Sequence, residues 1–394
     1  MPRFEPFIGI RYDFDSLDPK AVTAPPYDVI SPTDRAALVA QAPTNVVHVD
    51  LPVDGNDPYG DAAATFAHWR KEHILVDDHE PSFTVYRMDA PDENGVIRHT
   101  TGVIGALELS RPGEGDILPH EFTTPKAKSD RLDLLRSTRS NLSAVWGLSP
   151  ALGLTRLLES NEAPLTTFEA DGVVHTVWRI TEPERLEAIR TAIGSAPIVI
   201  ADGHHRYETS LAYRDERQAA NGSAGDAGSV MTFVVELVED ELMVGPIHRL
   251  ISGLPDGFDL RSAFESFFTV EPFEFTADAT VARMQALGGL VLVLPGDAWL
   301  LKPRAETIAA ARDLDSSRLD LALESIPDHS LIYQHGVTHI RTAVDDGRAQ
   351  AGVLLRPVTI DQIVAIAEGG EKMPPKSTFF APKPRTGIVF RSID

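Results

Sequence analysis

The run Ala-Pro-Ile-Val-Ile-Ala-Asp-Gly-His-His-Arg-Tyr-Glu-Thr-Ser-Leu-Ala-Tyr-Arg occupies residues 196–214. Ile198, Val199 and Ile200 are consecutive β-branched residues and read as a buried strand. Asp202-Gly203 breaks the run. From His204 the period turns helical, with Tyr207, Leu211 and Ala212 on one face. A strand therefore gives way to a helix at Asp202-Gly203-His204-His205-Arg206. The first N–H groups of a helix lack intrahelical acceptors and carry partial positive charge. Gly203 lets the backbone approach a ligand closely. His204, His205 and Arg206 add donors, and an arginine grips phosphate in bidentate fashion. The stretch reads as a phosphate site at a helix N-terminus. His204 and His205 are candidate catalytic groups, and Asp202 is a candidate base or Mg²⁺ ligand. The plainer alternative makes Asp202 an N-cap and the histidines solvated first-turn residues.

Four other stretches carry chemistry. Ala24-Pro25-Pro26-Tyr27-Asp28 cannot be helical, because consecutive prolines remove donors and restrict the residue before them. It is a stiff loop presenting Tyr27 and Asp28. Ser31-Pro32-Thr33-Asp34 then starts a helix. The polar loop 119–130 holds His120, Glu121 and Lys128, and a helix from about 130 to 139 holds Arg131. Its basic groups either offset nearby acids or form a second anion-binding segment. His248-Arg249 is a basic pair at the end of a strand. Residues 372–383 place Lys376, Ser377 and Thr378 in a proline-stiffened segment, which is either a preset anion clamp or a surface arm.

The remaining pattern alternates strands and helices. Residues 45–51 read as a strand. Residues 83–88 and 96–109 read as a hairpin, and so do 230–238 with 242–247. From 251 a small α+β unit follows, with helices expected near 259–268, 277–287, 318–325, 328–334 and 360–367 and a hairpin at 290–294 and 299–302.

The chain has 394 residues, of which 43% are hydrophobic and 24% charged, enough apolar material for two or three domains. It has no cysteine. That excludes disulfides, thiolate metal sites and cysteine nucleophiles. No apolar run reaches the roughly 18 residues of a membrane span. No secretion signal is visible, so a cytoplasmic location is expected. Lysine and arginine total 36 against 58 aspartate and glutamate, a net charge of −22. Such a chain is repelled by nucleic acid over most of its surface, which disfavours a DNA role. There is no P-loop, GxGxxG, zincin helix or Gly-x-Ser-x-Gly elbow.

Asp202-Gly203-His204-His205-Arg206 followed by a helix resembles the phosphate-binding turn of the ParB/sulfiredoxin superfamily. Together with residues 24–31, 119–121, 128–131, 139–143 and 373–378, it makes the chain resemble the bacterial family called domain of unknown function 1015. The resemblance implies an α+β fold. A ParB/sulfiredoxin-like mixed core would occupy residues 1–250, with a β-rich insertion at about 82–180. A C-terminal α+β domain would occupy 251–394 and return its last segment to the cleft. A sulfiredoxin-type reaction is excluded, since that chemistry needs a cysteine. The implied function is phosphoryl transfer or phosphoester hydrolysis on a small metabolite, which depends on positioning and charge neutralisation. Likeness to free serine kinases suggests serine or phosphoserine as substrate, ATP or ADP as donor and Mg²⁺ as cofactor. The expected catalytic residues are Asp202, His204, His205, Glu121 and Asp28. The expected phosphate ligands are Gly203, Arg206, His120, Lys128, Arg131, His248, Arg249, Lys376, Ser377 and Thr378. The alternative is a ParB-like nucleotide-binding regulatory protein without turnover.

Overall fold

The structure, a computed structural model, describes residues 1–53, 55–92, 95–119, 126–238, 242–369, 373 and 376–394. The β-branched run forms strand Ile198–Asp202, with Ile198 to Ala201 buried. Gly203 follows with φ +87°, and helix His204–Asn221 begins. Glycine is needed there twice over. An L side chain is strained at that φ, and a Cβ would stand 2.9 Å from the Arg206 guanidinium. The helix ends on Gly222, at φ +73°, the usual left-handed stop.

The turn strand is second in a nine-stranded mixed sheet. The order is Ile117–Pro119, Ile198–Asp202, Val145–Ser149, Ser229–Glu236, Ile97–Glu108, Phe83–Pro91, Val173–Ile180 and Thr166–Ala170, with Phe4–Glu5 pairing beside Leu107 and Ala106. Two pairings are parallel, Ile117–Pro119 with the turn strand and Val145–Ser149 with Ser229–Glu236. Most strands of residues 82–180 and the turn strand therefore build one sheet together. One face of it carries Val85, Val103, Ile198, Ile200 and Val234, which pack with Tyr207 of the turn helix and with Ile189 and Ile193 of helix Pro183–Gly194. A second sheet has the order Leu75–Asp77, Gly9–Tyr12, Phe390–Ser392 and Ser140–Asn141.

The fold is α+β, in two compact units: residues 1–243 with 382–394, and residues 244–381. The second unit is a six-stranded antiparallel sheet in the order Phe268–Pro272, Asp297–Pro303, Leu290–Leu294, Ala351–Leu354, His248–Ser252 and Ser330–Gln334. Helices Asp315–Leu323 and Val337–Asp345 contribute Leu319, Ala322, Ile340 and Val344 to its cores.

Three readings of local structure are corrected. Residues 45–51 hold a short helix, Val47–Asp50, and not a strand. Val46, Val47 and Val49 are all buried, so no alternation marks a half-exposed strand. Ser229–Glu236 does not form a hairpin with residues 242–247. It lies between Ile97–Glu108 and Val145–Ser149, with every residue but its first buried, as a central strand requires. Residues 328–334 are not helical either, since Ser330–Gln334 is an edge strand paired with His248–Ser252.

Candidate functional site

An ion network forms at the start of the turn helix, within the first unit. Asp202, the last residue of its strand, accepts from Arg206 Nη2 at 2.5 Å on Oδ2 and from Lys383 Nζ at 2.7 Å on Oδ1. Lys383 also donates to Asp28 Oδ2 at 2.9 Å. Asp28 sits in the helical turn Tyr27–Val29 that follows the two prolines. Arg206 Nη1 donates to the Ala144 carbonyl, just before strand Val145–Ser149. The Arg131 guanidinium stands 4.2 Å from the Tyr27 ring centroid. It donates to the Asp50 carbonyl at 2.6 Å and to Asp130 Oδ2 at 2.7 Å. Three cations, Arg131, Arg206 and Lys383, thus face four carboxylates, Asp28, Asp50, Asp130 and Asp202.

Burial sets the roles. The Arg206 side chain is 10% exposed and that of Asp28 is 35% exposed. Arg206 is therefore a buried member of the network and not an arginine at its mouth, whereas Asp28 can be reached from solvent. Burial works to raise the Asp202 pKa, but Lys383 and Arg206 outweigh it and hold the carboxylate at about 2. Asp50 shifts the other way. Burial pushes its pKa up, and Arg131 and Arg206 only partly oppose this. Burial also raises the Tyr27 phenol.

Of the residues expected from sequence, the structure gathers Asp28, Arg131, Asp202, Gly203, His204 and Arg206 around this turn; His204 adds to the field on Asp202. His205 occupies the same first turn and is half-buried. His120, Glu121 and the Lys128 side chain lie outside the described residues. Lys376, Ser377, Thr378, His248 and Arg249 belong to the second unit. There His248 and Arg249 open their strand instead of ending one. Both are 1% exposed. Burial pushes His248 down to about 3, so it is neutral. The Arg249 guanidinium lies 4.4 Å from the Tyr333 ring centroid. Lys376 is exposed, while Ser377 is buried with its hydroxyl 3.1 Å from that of Ser316.

Two network members are not singled out from sequence. Asp50 is hidden because its helix reads as a strand. Lys383 lies in the lysine-bearing segment 372–383 that is expected to return to the cleft, but the residues singled out in it are Lys376, Ser377 and Thr378. The expected Mg²⁺ at Asp202 does not suit this arrangement. Both carboxylate oxygens are engaged by Arg206 and Lys383. Among the described residues no group of three or more His, Asp or Glu could hold a metal.

The fold and this turn define an α+β protein with a buried ion network at a strand-to-helix junction. The chain belongs to the family described as Protein of unknown function (DUF1015), which matches residues 4–321. No curated protein matches the sequence. Similar solved structures include a free serine kinase in complex with AMP, at 13% identity and TM-score 0.38, covering 69% of this chain and 88% of that one. A conserved hypothetical protein from Pyrococcus furiosus has 12% identity and TM-score 0.38, covering 70% and 90%. SbnI with a C-terminal truncation, from Staphylococcus aureus, has 10% identity and TM-score 0.40, covering 72% and 85%. Among the described residues no helix is long and apolar enough to cross a membrane.

Proposed function

We propose that the first unit binds a phosphorylated small metabolite or nucleotide at the turn helix and moves its phosphoryl group, by transfer or by hydrolysis. The observation that carries this reading is the convergence of Arg131, Arg206 and Lys383 from three distant segments on one helix N-terminus. The chain as a whole is strongly acidic, with a net charge of −22. Phosphoryl transfer needs a place where developing negative charge is neutralised by fixed groups. Lys383, bridging Asp28 and Asp202, supplies the positive charge that a metal would otherwise bring. Asp28 is the solvent-reachable carboxylate bonded to Lys383 and is assigned as the acceptor for a nucleophile's proton. An ATP- or ADP-type donor would present its terminal phosphates to the same cations. Phosphoserine is the first small phosphomonoester to try.

One observation favours the rival reading, a nucleotide binder without turnover. A carboxylate held at about 2 is a weak base at neutral pH, so Asp202 orients Arg206 and Lys383 and does not take protons. The test is calorimetric titration of the wild type and Lys383→Met with O-phosphoserine, AMP, ADP and ATP, followed by phosphate release with and without Mg²⁺. At least one compound should bind, and Lys383→Met should weaken it about tenfold or more. Turnover selects the enzyme and binding without turnover selects the regulator. If none of the four compounds binds, both readings are wrong.

A further inference from the structure

A cavity of about 50 Å³ adjoins the network, lined by Asp50, Arg131, Ser143, Arg206, Thr209 and Leu142 among others. Thr209 is 4% exposed, and its Oγ1 has no hydrogen-bond partner among the described residues. A serine or threonine hydroxyl inside a helix ordinarily satisfies itself on the carbonyl four residues back. Ser210 does so, donating to the Arg206 carbonyl at 2.9 Å. Its neighbour Thr209 does not, although leaving a buried hydroxyl open is costly.

We infer that this cavity seats a tetrahedral oxyanion able to share a proton with Asp50, namely a phosphate group, with Thr209 and Arg131 as its donors. The inference rests on the proposed function and deepens it by naming where the phosphate sits and what selects it. The volume suits the guest. At about 10–15 Å³ per water, the cavity has room for roughly three to five oxygen-sized groups. The charge suits it too, because Arg131 and Arg206 both line the cavity. Asp50 is the unusual member, since a carboxylate facing an anion is repulsive unless a proton lies between them. Arg131 Nη1 bonds the Asp50 carbonyl and stays 3.5 Å from Oδ1, which offsets the carboxyl charge. A phosphomonoester, with its second pKa near about 6, can hold such a proton. Sulfate is too weak a base to do so. Asp50 therefore discriminates between two anions of the same shape by leaving the wrong one facing an unbridged carboxylate.

The full-length protein is titrated calorimetrically with inorganic phosphate, with sulfate and with O-phosphoserine at one ionic strength, as wild type, Thr209→Val and Asp50→Asn. Phosphate is expected to bind at least tenfold more tightly than sulfate. Thr209→Val should weaken phosphate about tenfold while its melting temperature in phosphate-free buffer is unchanged or higher, because the lost hydroxyl had no partner. Asp50→Asn should bring the two anions together. O-phosphoserine that shows the same Thr209 dependence assigns the cavity to the phosphate of an ester; dependence seen only with inorganic phosphate assigns it to the free ion. Equal wild-type affinity for phosphate and sulfate overturns the inference. So does undiminished phosphate binding by Thr209→Val, a variant that should fold even if Asp50→Asn does not. If either happens while a phosphorylated compound still binds in a Lys383-dependent way, the proposed function stands and only the cavity loses its assignment.

Discussion

Asp202 carries two charge-assisted bonds at once, and they fix how it behaves in acid. Its ordinary pKa of 3.8 falls to about 2 in the folded chain. A depressed carboxylate stabilises the fold fully above its unfolded pKa and loses that contribution as pH falls through the folded one. The window is therefore between about pH 4 and pH 2, and the contribution is on the order of 2 kcal/mol. Asp50 has the opposite sign: its pKa is raised by burial, so its contribution is complete below the unfolded value and is lost as pH rises through the folded one. Asp202→Asn should therefore have a lower urea midpoint than wild type near neutral pH, and the gap should close as pH drops through that window. A gap that stays constant down to about pH 2 would show that the negative charge of Asp202 is not what the network uses. The burial of Arg206 also changes what its removal would mean. Arg206→Ala strips a buried carboxylate of one partner and should cost about 1.5–3 kcal/mol, so lost ligand binding in that variant would not by itself identify a ligand contact. Lys383→Met likewise strips Asp28 and Asp202 of a partner, so its binding data are read beside its melting temperature.

Elements whose character is written locally were legible, and those settled by distant partners were not. The turn at 202–206 shows itself because the apolar period changes from two to helical across Asp202-Gly203. The helix after Pro32 shows itself because Ser31 and Asp34 make a reciprocal cap, which the structure contains. The helix Val47–Asp50 is different. Its valines are buried by tertiary packing all round, and its start is set by one side chain, Asn45. Asn45 Nδ2 donates to the carbonyls of Ala21 at 2.8 Å and Thr23 at 3.2 Å, and Oδ1 accepts from Val47 N at 3.0 Å. No pattern within residues 45–51 announces those partners, so Asp50 could not be placed from sequence. Lys383 lies in the segment expected to return to the cleft, but nothing local marks it above Lys376. Asn45→Ala should cost about 2–4 kcal/mol by leaving buried backbone groups unpaired. It should also weaken phosphate binding by releasing Asp50 and Arg131. Ser31→Ala removes an exposed cap, should cost about 1 kcal/mol, and should leave binding alone. Melting curves and calorimetry on the pair decide this, and equal effects on both readouts would remove Asn45 from the account of the site.

At the scale of the whole chain, a net charge of −22 opposes the approach of any anionic ligand. The cations that could overcome this are supplied by segments far apart in sequence, and one of them comes from the last 13 residues, 382–394. Those residues are structural as well as chemical. Strand Phe390–Ser392 lies between Gly9–Tyr12 and Ser140–Asn141. The Phe390 ring is fully buried, 5.9 Å from Tyr12 and 5.3 Å from Phe66 between centroids. Arg385 holds Thr23 through Nε at 2.9 Å and through Nη2 at 3.0 Å. Residues 244–381 have their own sheet and cores and contain none of the network residues. Truncation after Ala381 should therefore do two things at once. It removes Lys383, so binding of the phosphorylated compound is lost, and it opens the core around Tyr12, so the first unit should melt at much lower temperature or not cooperatively at all; loss of a buried phenylalanine side chain alone costs about 3–5 kcal/mol. Residues 244–381 expressed alone should still give a cooperative melt and should bind no phosphate. Differential scanning calorimetry on the full chain, the truncation and the isolated segment separates these outcomes. A truncated chain that keeps the melting temperature of the full chain would mean that the returning strand is not needed to hold the first unit together. Phosphate binding by residues 244–381 alone would move the anion site to His248, Arg249 and Lys376 and away from the turn at Asp202.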